Sequence, residues 1–335
     1  MRYGLLVFIG ALWALPAGAA NTWAQLCSLR VQQAEQAGTT TVSGLGDWLF
    51  FAPELRHLAA GPFWGPNAAS VSQAVRPEHA DPLAAIVTFK RQLESLDIEL
   101  IVLPVPPKAA VYPDSLAPLP APPPRLDTHH ATFYDLLRQQ GVEVLDLTPH
   151  FLAARSTGAP LYCRTDTHWS SRACVLTAQA VAAALKPRPW VAELAQSSLS
   201  STWGEVEITG DLRPGSETPE TLPLRFVQDA TAPVAPDRTS PILLLGDSHT
   251  LVFQAGGDMH AQGAGLADQL ALELGRAVDL LGVRGSGSTA ARVSLYRRSR
   301  SDPTYLADKK VVIWCFSARA FTQSRDGWRP VPVVP

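Results

Sequence analysis

The sequence predicts an α/β fold in which a central, mainly parallel β-sheet is flanked by helices, and three observations carry that reading. Unbroken apolar runs recur as ELIVLPV (99–105), PILLLG (241–246) and VVIWCF (311–316), the pattern of strands buried on both faces. Segments with apolar residues at helical spacing lie between them, as the crossovers of a parallel sheet require. The chain has 335 residues, 46% hydrophobic and 17% charged, which suffices for a sizeable core.

The elements follow in order. The first twenty residues, MRYGLLVFIGALWALPAGAA, combine Arg2, an apolar run and closing small residues, the layout of a secretory signal peptide over 1–20. The run is short for a membrane span, which needs about 20 apolar residues; an uncleaved inner-membrane anchor is the alternative. After a polar approach segment, VSGLGDWLFFAPELRHL (42–58) reads as a hairpin-like β segment turning at Gly44 and Gly46. A helix then starts at Pro82 with Asp81 as its cap and Ile86, Phe89 and Leu93 on one face. Strand 99–105 ends in prolines, and the connector DSLAPLPAPPPR leads to a helix in ATFYDLLRQQG and a strand in VEVLDL.

SSRACVLTAQAVAAAL (170–185) reads as a helix closed by Pro187, and residues of about 188–240 as an irregular, polar insertion. The strand of PILLLGDS, the helix GLADQLALELG, the strand AVDLLGV, a glycine loop, the helix TAARVSLYRR and the strand KKVVIWCF complete the pattern. Residues 21–335 are thus expected to form one domain. A formal charge of −2 and the absence of long charge runs give no reason to expect nucleic acid as a partner.

Two segments carry chemistry. TDTHWS places Asp166 and His168 two positions apart, and GDSHT places Ser248 just past a strand, where α/β sheets set their ligands. A serine needs a base, and the base needs a third group to hold its tautomer. An equal alternative is that Asp247 or Ser248 merely caps the next helix. A second Asp-Thr-His, at 127–129, is expected to be structural, with Asp127 or Thr128 capping the helix that follows it. The pairs Asp166/His168 and Asp247/His249 also offer carboxylate and imidazole to a metal ion, a reading that would leave Ser248 without a task.

TDTHWS and GDSHT, with GLGDWLFFAPELRHL, ELIVLPVPPKAAVYPDSL and KKVVIWCFSARAF, resemble the SGNH-hydrolase-like domain of the alginate O-acetyltransferase family of AlgJ and AlgX type. The resemblance covers most of the chain and implies a permuted order of catalytic motifs, with Asp166 and His168 preceding Ser248. It implies an exported, periplasmic O-acetyltransferase acting on an exopolysaccharide through an acetyl-serine, with no cofactor or metal. A serine carbohydrate esterase of the same fold is the nearest alternative, and a non-catalytic polysaccharide-binding subunit a further one. The partners implied are a polysaccharide acceptor, an acetyl donor, a membrane-bound acetyl-passing protein and an export complex.

In this family setting Gly285 and Gly287 of VRGSGST are the candidates for the second oxyanion donor beside the Ser248 N–H. The asparagine such enzymes use has no counterpart, because the chain contains only Asn21 and Asn67; Arg292 or Tyr296 could replace it or could be packing residues. Trp169 could stack on a sugar or pack into the core, and Lys108, Tyr112, Trp48 and Arg56 fall in matching segments without a derivable role. Four cysteines in an oxidising compartment allow pairing, and a bridge from Cys163 to Cys174 would close a short loop, worth about 3 kcal/mol in loop entropy.

Overall fold

A computed structural model describes residues 17–119, 125–213, 218–285 and 287–335. The first sixteen residues of the expected signal lie outside the described residues, and residues 17–20 begin the helix Ala17–Gln36. That helix was not expected from the polar approach segment. Its buried stripe, Trp23, Cys27, Val31 and Ala34, is only about one residue per turn wide, too sparse to stand out from polar neighbours. Among the described residues no helix is long and apolar enough to cross a membrane.

In chain order the strands are β1 (Thr41–Ser43), β2 (Leu49–Phe51), β3 (Glu99–Val105), β4 (Glu143–Val144), β5 (Leu199–Ile208), β6 (Glu220–Asp229), β7 (Ala232–Pro233), β8 (Ile242–Gly246), β9 (Asp279–Gly282) and β10 (Val311–Ser317). The central sheet runs β4-β3-β10-β8-β9 with every pair parallel. The expected fold class is the observed one. Its strands divide their side chains by period two. Ile101, Leu103, Ile242, Leu244 and Ile313 meet the helices Ser171–Leu185 and Leu266–Leu274, while Leu100, Val102, Leu243, Leu245 and Trp314 meet Pro82–Glu94, Thr128–Gln139 and Thr289–Ser301.

The helix at Pro82 starts as its sequence dictates: the Asp81 side chain accepts from Leu83 N at 2.9 Å. β1 and β2 form the expected small hairpin, with Gly46 at φ 60°. Segment 188–240 departs from its irregular expectation. β5 and β6 pair antiparallel over ten residues each, from Leu199↔Asp229 to Ile208↔Glu220, and β7 extends them. β5 is exposed along most of its length, so it lacks the apolar alternation that announces a strand, and Pro223 interrupts the pattern of β6.

Candidate active site

The site lies at the carboxyl ends of β8, β10 and β3, where a parallel sheet leaves backbone groups unpaired. At Gly246 a side chain is impossible, since a Cβ there would lie 1.9 Å from the Cys315 carbonyl oxygen of the neighbouring strand. The chain then turns at Asp247, which caps the short turn Ser248–Thr250. Asp247 Oδ1 accepts from His249 N at 2.9 Å, and Oδ2 accepts from Ser317 N at 2.7 Å. Burial pushes the Asp247 carboxyl up, but His249, Arg319 and the Ser317 N–H outweigh it and hold the group down to about 2. With Asp247 doing the capping, the Ser248 hydroxyl is left over. It meets His168, Oγ to Nε2, at 2.8 Å.

His168 stands on a loop closed by backbone pairing. Tyr162 bridges Trp169, Cys163 N donates to His168 O, and Ser170 N donates to Leu161 O. His168 Nδ1 donates to Asp166 Oδ1 at 2.6 Å, and its backbone N donates to the same oxygen at 2.9 Å. Asp166 Oδ2 accepts from Asp211 N at 3.0 Å and from His260 Nε2 at 2.9 Å. Burial raises the Asp166 carboxyl, yet the hydrogen bonds from His168 and His260 hold it well below the usual carboxylate range. All three side chains are nearly closed to solvent, Asp166 at 1%, His168 at 6% and Ser248 at 7%.

Residues without a role in the sequence acquire one here. Lys108 Nζ donates to Asp166 O at 2.5 Å and to Leu49 O at 2.9 Å, tying the acid's backbone to β2. Tyr112 Oη accepts from Leu161 N at 2.9 Å and packs on Trp48, ring centroids 4.5 Å apart. Arg56 donates to Gln323 Oε1 and pairs with Glu35, with no hydrogen bond to Asp166, His168 or Ser248 among the described residues. Trp169 is fully buried with Nε1 on His249 O, a packing residue that cannot stack on a ligand.

The expected Cys163–Cys174 bridge is absent. Both thiols are free and buried, Cys163 Sγ donating toward Trp169 O at 3.6 Å while Cys174 sits in the helix Ser171–Leu185. The loop is stiffened by its backbone pairs instead. The earlier Asp-Thr-His is also used differently. Asp127 occupies the cap position of Thr128–Gln139 but makes no cap bond. Its carboxylate binds Arg125, Thr148 Oγ1 and His130 Nδ1, and His130 Nε2 meets His57 Nε2 at 2.6 Å. His57 Nδ1 ends the row on Thr322 Oγ1.

Of the groups expected to receive an oxyanion, the Ser248 N–H has no acceptor among the described residues. Gly287 lies against the turn that carries Ser248: a Cβ there would stand 3.0 Å from Asp247 Cβ and 2.6 Å from Phe316 Cβ. Gly285 has φ 94° and open space around it. Arg292 is buried over the Trp314 ring and bonds Ser288 O and Thr289 Oγ1, bracing the end of the glycine loop. Tyr296 is half-buried on Thr289–Ser301. Neither forms a hydrogen bond to Ser248 or His168 among the described residues. The four-residue metal set is not assembled. The described group of three that could hold an ion is Asp166, His168 and Asp211, and Asp211 spends its oxygens on Thr167 N and Oγ1.

A family model described as SGNH hydrolase-like domain, acetyltransferase AlgX, matches residues 41–318. The chain belongs to this family. The acetyltransferase AlgX family match contains both chemical segments, at 162–174 and 242–250. The chain is 25% identical over 171 residues to the probable alginate O-acetylase AlgJ of Pseudomonas aeruginosa, a match covering 51% of this chain and 39% of that relative. The solved O-acetyltransferase domain of Pseudomonas putida AlgJ superposes with TM-score 0.63 at 24% identity, covering 85% of this chain and 93% of that one. AlgX of Pseudomonas aeruginosa follows with TM-score 0.58 at 19% identity, covering 83% and 61%. These likenesses establish the SGNH-like fold.

Proposed function

We propose that the protein is an exported O-acetyltransferase that moves an acetyl group to hydroxyls of an exopolysaccharide through an acetyl-serine on Ser248. The observation that carries this reading is the row Ser248 Oγ, His168 Nε2, His168 Nδ1, Asp166 Oδ1, with spacings of 2.8 and 2.6 Å, in a chain of the AlgX acetyltransferase family.

In the first half-reaction Ser248 Oγ attacks the acetyl carbonyl as its proton passes to His168 Nε2, and Asp166 stabilises the imidazolium. The oxyanion is received by the N–H of Ser248, with Gly287 as the second donor because its backbone lies against Asp247. The intermediate collapses, and His168 returns the proton to the departing group of the donor. In the second half-reaction a sugar hydroxyl gives its proton to His168 and attacks the acetyl-serine, and Ser248 recovers its proton. Residues 21–335 act as one domain in the periplasm in this reading, after a signal at 1–20, with a membrane-bound acetyl-passing protein and an export complex as partners.

Mass spectrometry after exposure to an activated acetyl ester tests the reading. Acetyl is expected on Ser248, absent in Ser248→Ala, and discharged to an oligosaccharide acceptor. His168→Ala is expected to slow acylation by at least about a thousandfold. Discharge to water alone would make the protein an esterase, and no acetyl-serine at all would sink the mechanism.

A further inference from the structure

One side chain at the site has no part in that proton relay. His260 places Nε2 2.9 Å from Asp166 Oδ2, the oxygen turned away from His168. It reaches this place from a loop of unusual backbone. Between the turn Ser248–Thr250 and the helix Leu266–Leu274, Phe253, Gly256, Gly257, His260 and Gly263 all have positive φ, from 58° to 80°. His260 itself stands at φ 72° and ψ −47°, a conformation an L-residue holds only where its surroundings impose it.

Here they do. Phe253 N donates to Met259 O, Gly256 N to Ala261 O, and Ala264 N to Phe253 O, so the loop is laced across itself. Val227 N of β6 donates to Gly263 O at 2.7 Å, tying it to the hairpin. Phe253, Met259 and Ala264 are buried in the core, and the Phe253 and His260 rings lie 5.9 Å apart. A loop wound so tightly, with apolar anchors on both sides of His260, delivers that imidazole to the carboxylate.

We propose that His260 is a positioning residue of the Asp166–His168–Ser248 row, donating Nε2–H to Asp166 Oδ2 so that the carboxylate is locked in rotation and shared between two imidazoles. The inference rests on the triad reading given above. Oδ1 accepts from His168 twice and Oδ2 accepts from Asp211 N and His260, so both oxygens are fully used. Removing the His260 donor leaves more negative charge for His168, which then holds its proton to higher pH. A base must be unprotonated to act, so the wild-type arrangement extends activity toward acid. The other ionisable groups facing this row are Lys108 on Asp166 O, Asp211 and Glu220 on the loop, and His249 with its partner Asp247, the His249 ring 5.0 Å from that of His168. None of them is removed by a change at residue 260.

The test compares wild type, His260→Leu and His260→Gln in the rate of Ser248 acetylation by an activated ester across about pH 5 to 9. His260→Leu is expected to lower the rate about tenfold, the loss one hydrogen bond to a charged group carries, and to move the acid limb to higher pH. Glutamine, which keeps an N–H donor, is expected to restore most of both. Equal losses in Leu and Gln with the acid limb unmoved would reduce His260 to a loop holder and overturn the proposal. A second measurement separates this from failure of the triad reading. The NMR titration of the His168 imidazole, followed in Ser248→Ala with and without His260→Leu, needs no turnover. Its midpoint is expected to rise with leucine; an unmoved midpoint overturns the inference even if Ser248 proves to carry acetyl.

Discussion

Three buried aspartates differ in ionisation, because hydrogen bonds and charges outweigh burial at two of them and burial prevails at the third. Asp166 and Asp247 each accept several N–H groups and stay ionised against the burial that opposes it. Asp268 accepts from Gly265 N at 2.9 Å, and burial pushes its carboxyl up to about 7. The signs of their contributions to stability are opposite. For Asp166 and Asp247 the folded-state value lies below the unfolded one, so their stabilisation is present above the ordinary carboxylate range and is lost as pH falls. For Asp268 the folded-state value is raised, so its contribution is complete below about pH 4 and is lost as pH rises through about 7. Asp268→Asn, which keeps an acceptor for Gly265 N, is therefore expected to raise the melting temperature at pH 8 and leave it nearly unchanged at pH 4. Equal shifts at both values in thermal unfolding would refute this. None of these directions is legible in the sequence, where each aspartate is one acid among 30 acidic residues.

At the scale of elements, the hairpin β5–β6 holds the loop that aims His168. Glu220, at the start of β6, accepts from Arg164 N, Thr165 N and Thr165 Oγ1 at 2.8 to 2.9 Å. Asp211, beyond the end of β5, accepts from Thr167 N and Oγ1 and donates its own N–H to Asp166. Leu212 N adds a bond to Thr165 O. Glu220→Ala leaves two loop N–H groups without acceptors. The expected cost is about 1–3 kcal/mol in denaturant unfolding, with slower acetylation of Ser248, and Glu220→Gln is expected to lose less of both because one oxygen remains. Unchanged acetylation in Glu220→Ala would show that the loop holds its shape without the hairpin. The buried strands β3, β8 and β10 and the helix Pro82–Glu94 are readable from apolar runs and a cap. The hairpin is not, because β5 is exposed along most of its length and Pro223 stands between the buried Leu222 and Leu224 of β6.

For the molecule as a whole, all four cysteines are free and fully buried. Burial pushes the Cys27 thiol up to about 12 and raises Cys163, Cys174 and Cys315 well above the ordinary thiol value. A thiol reagent at pH 8 is therefore expected to find almost no reactive group in the native protein and four in the unfolded one without reductant. Two thiols on unfolding would restore a bridge. Pairing read from short sequence separation fails here because Cys163 and Cys174 are placed by different elements, a paired loop and a helix, each with its own demands on direction.

The sequence alone determined the α/β class, the strands at 99–105 and 242–246, the placement of Ser248 past a strand, and the family resemblance carried by TDTHWS and GDSHT. Those features are local: they depend on residue type and near-neighbour spacing. Tertiary structure decided how the pair meets the serine, since His168 Nε2 reaches Ser248 Oγ, 80 residues on, at 2.8 Å only once the chain has folded back. The same folding brings His260 and Asp211 to Asp166 from 94 and 45 positions away. No periodicity records a contact of that kind, because what selects it is the geometry of a single carboxylate with four donors around it.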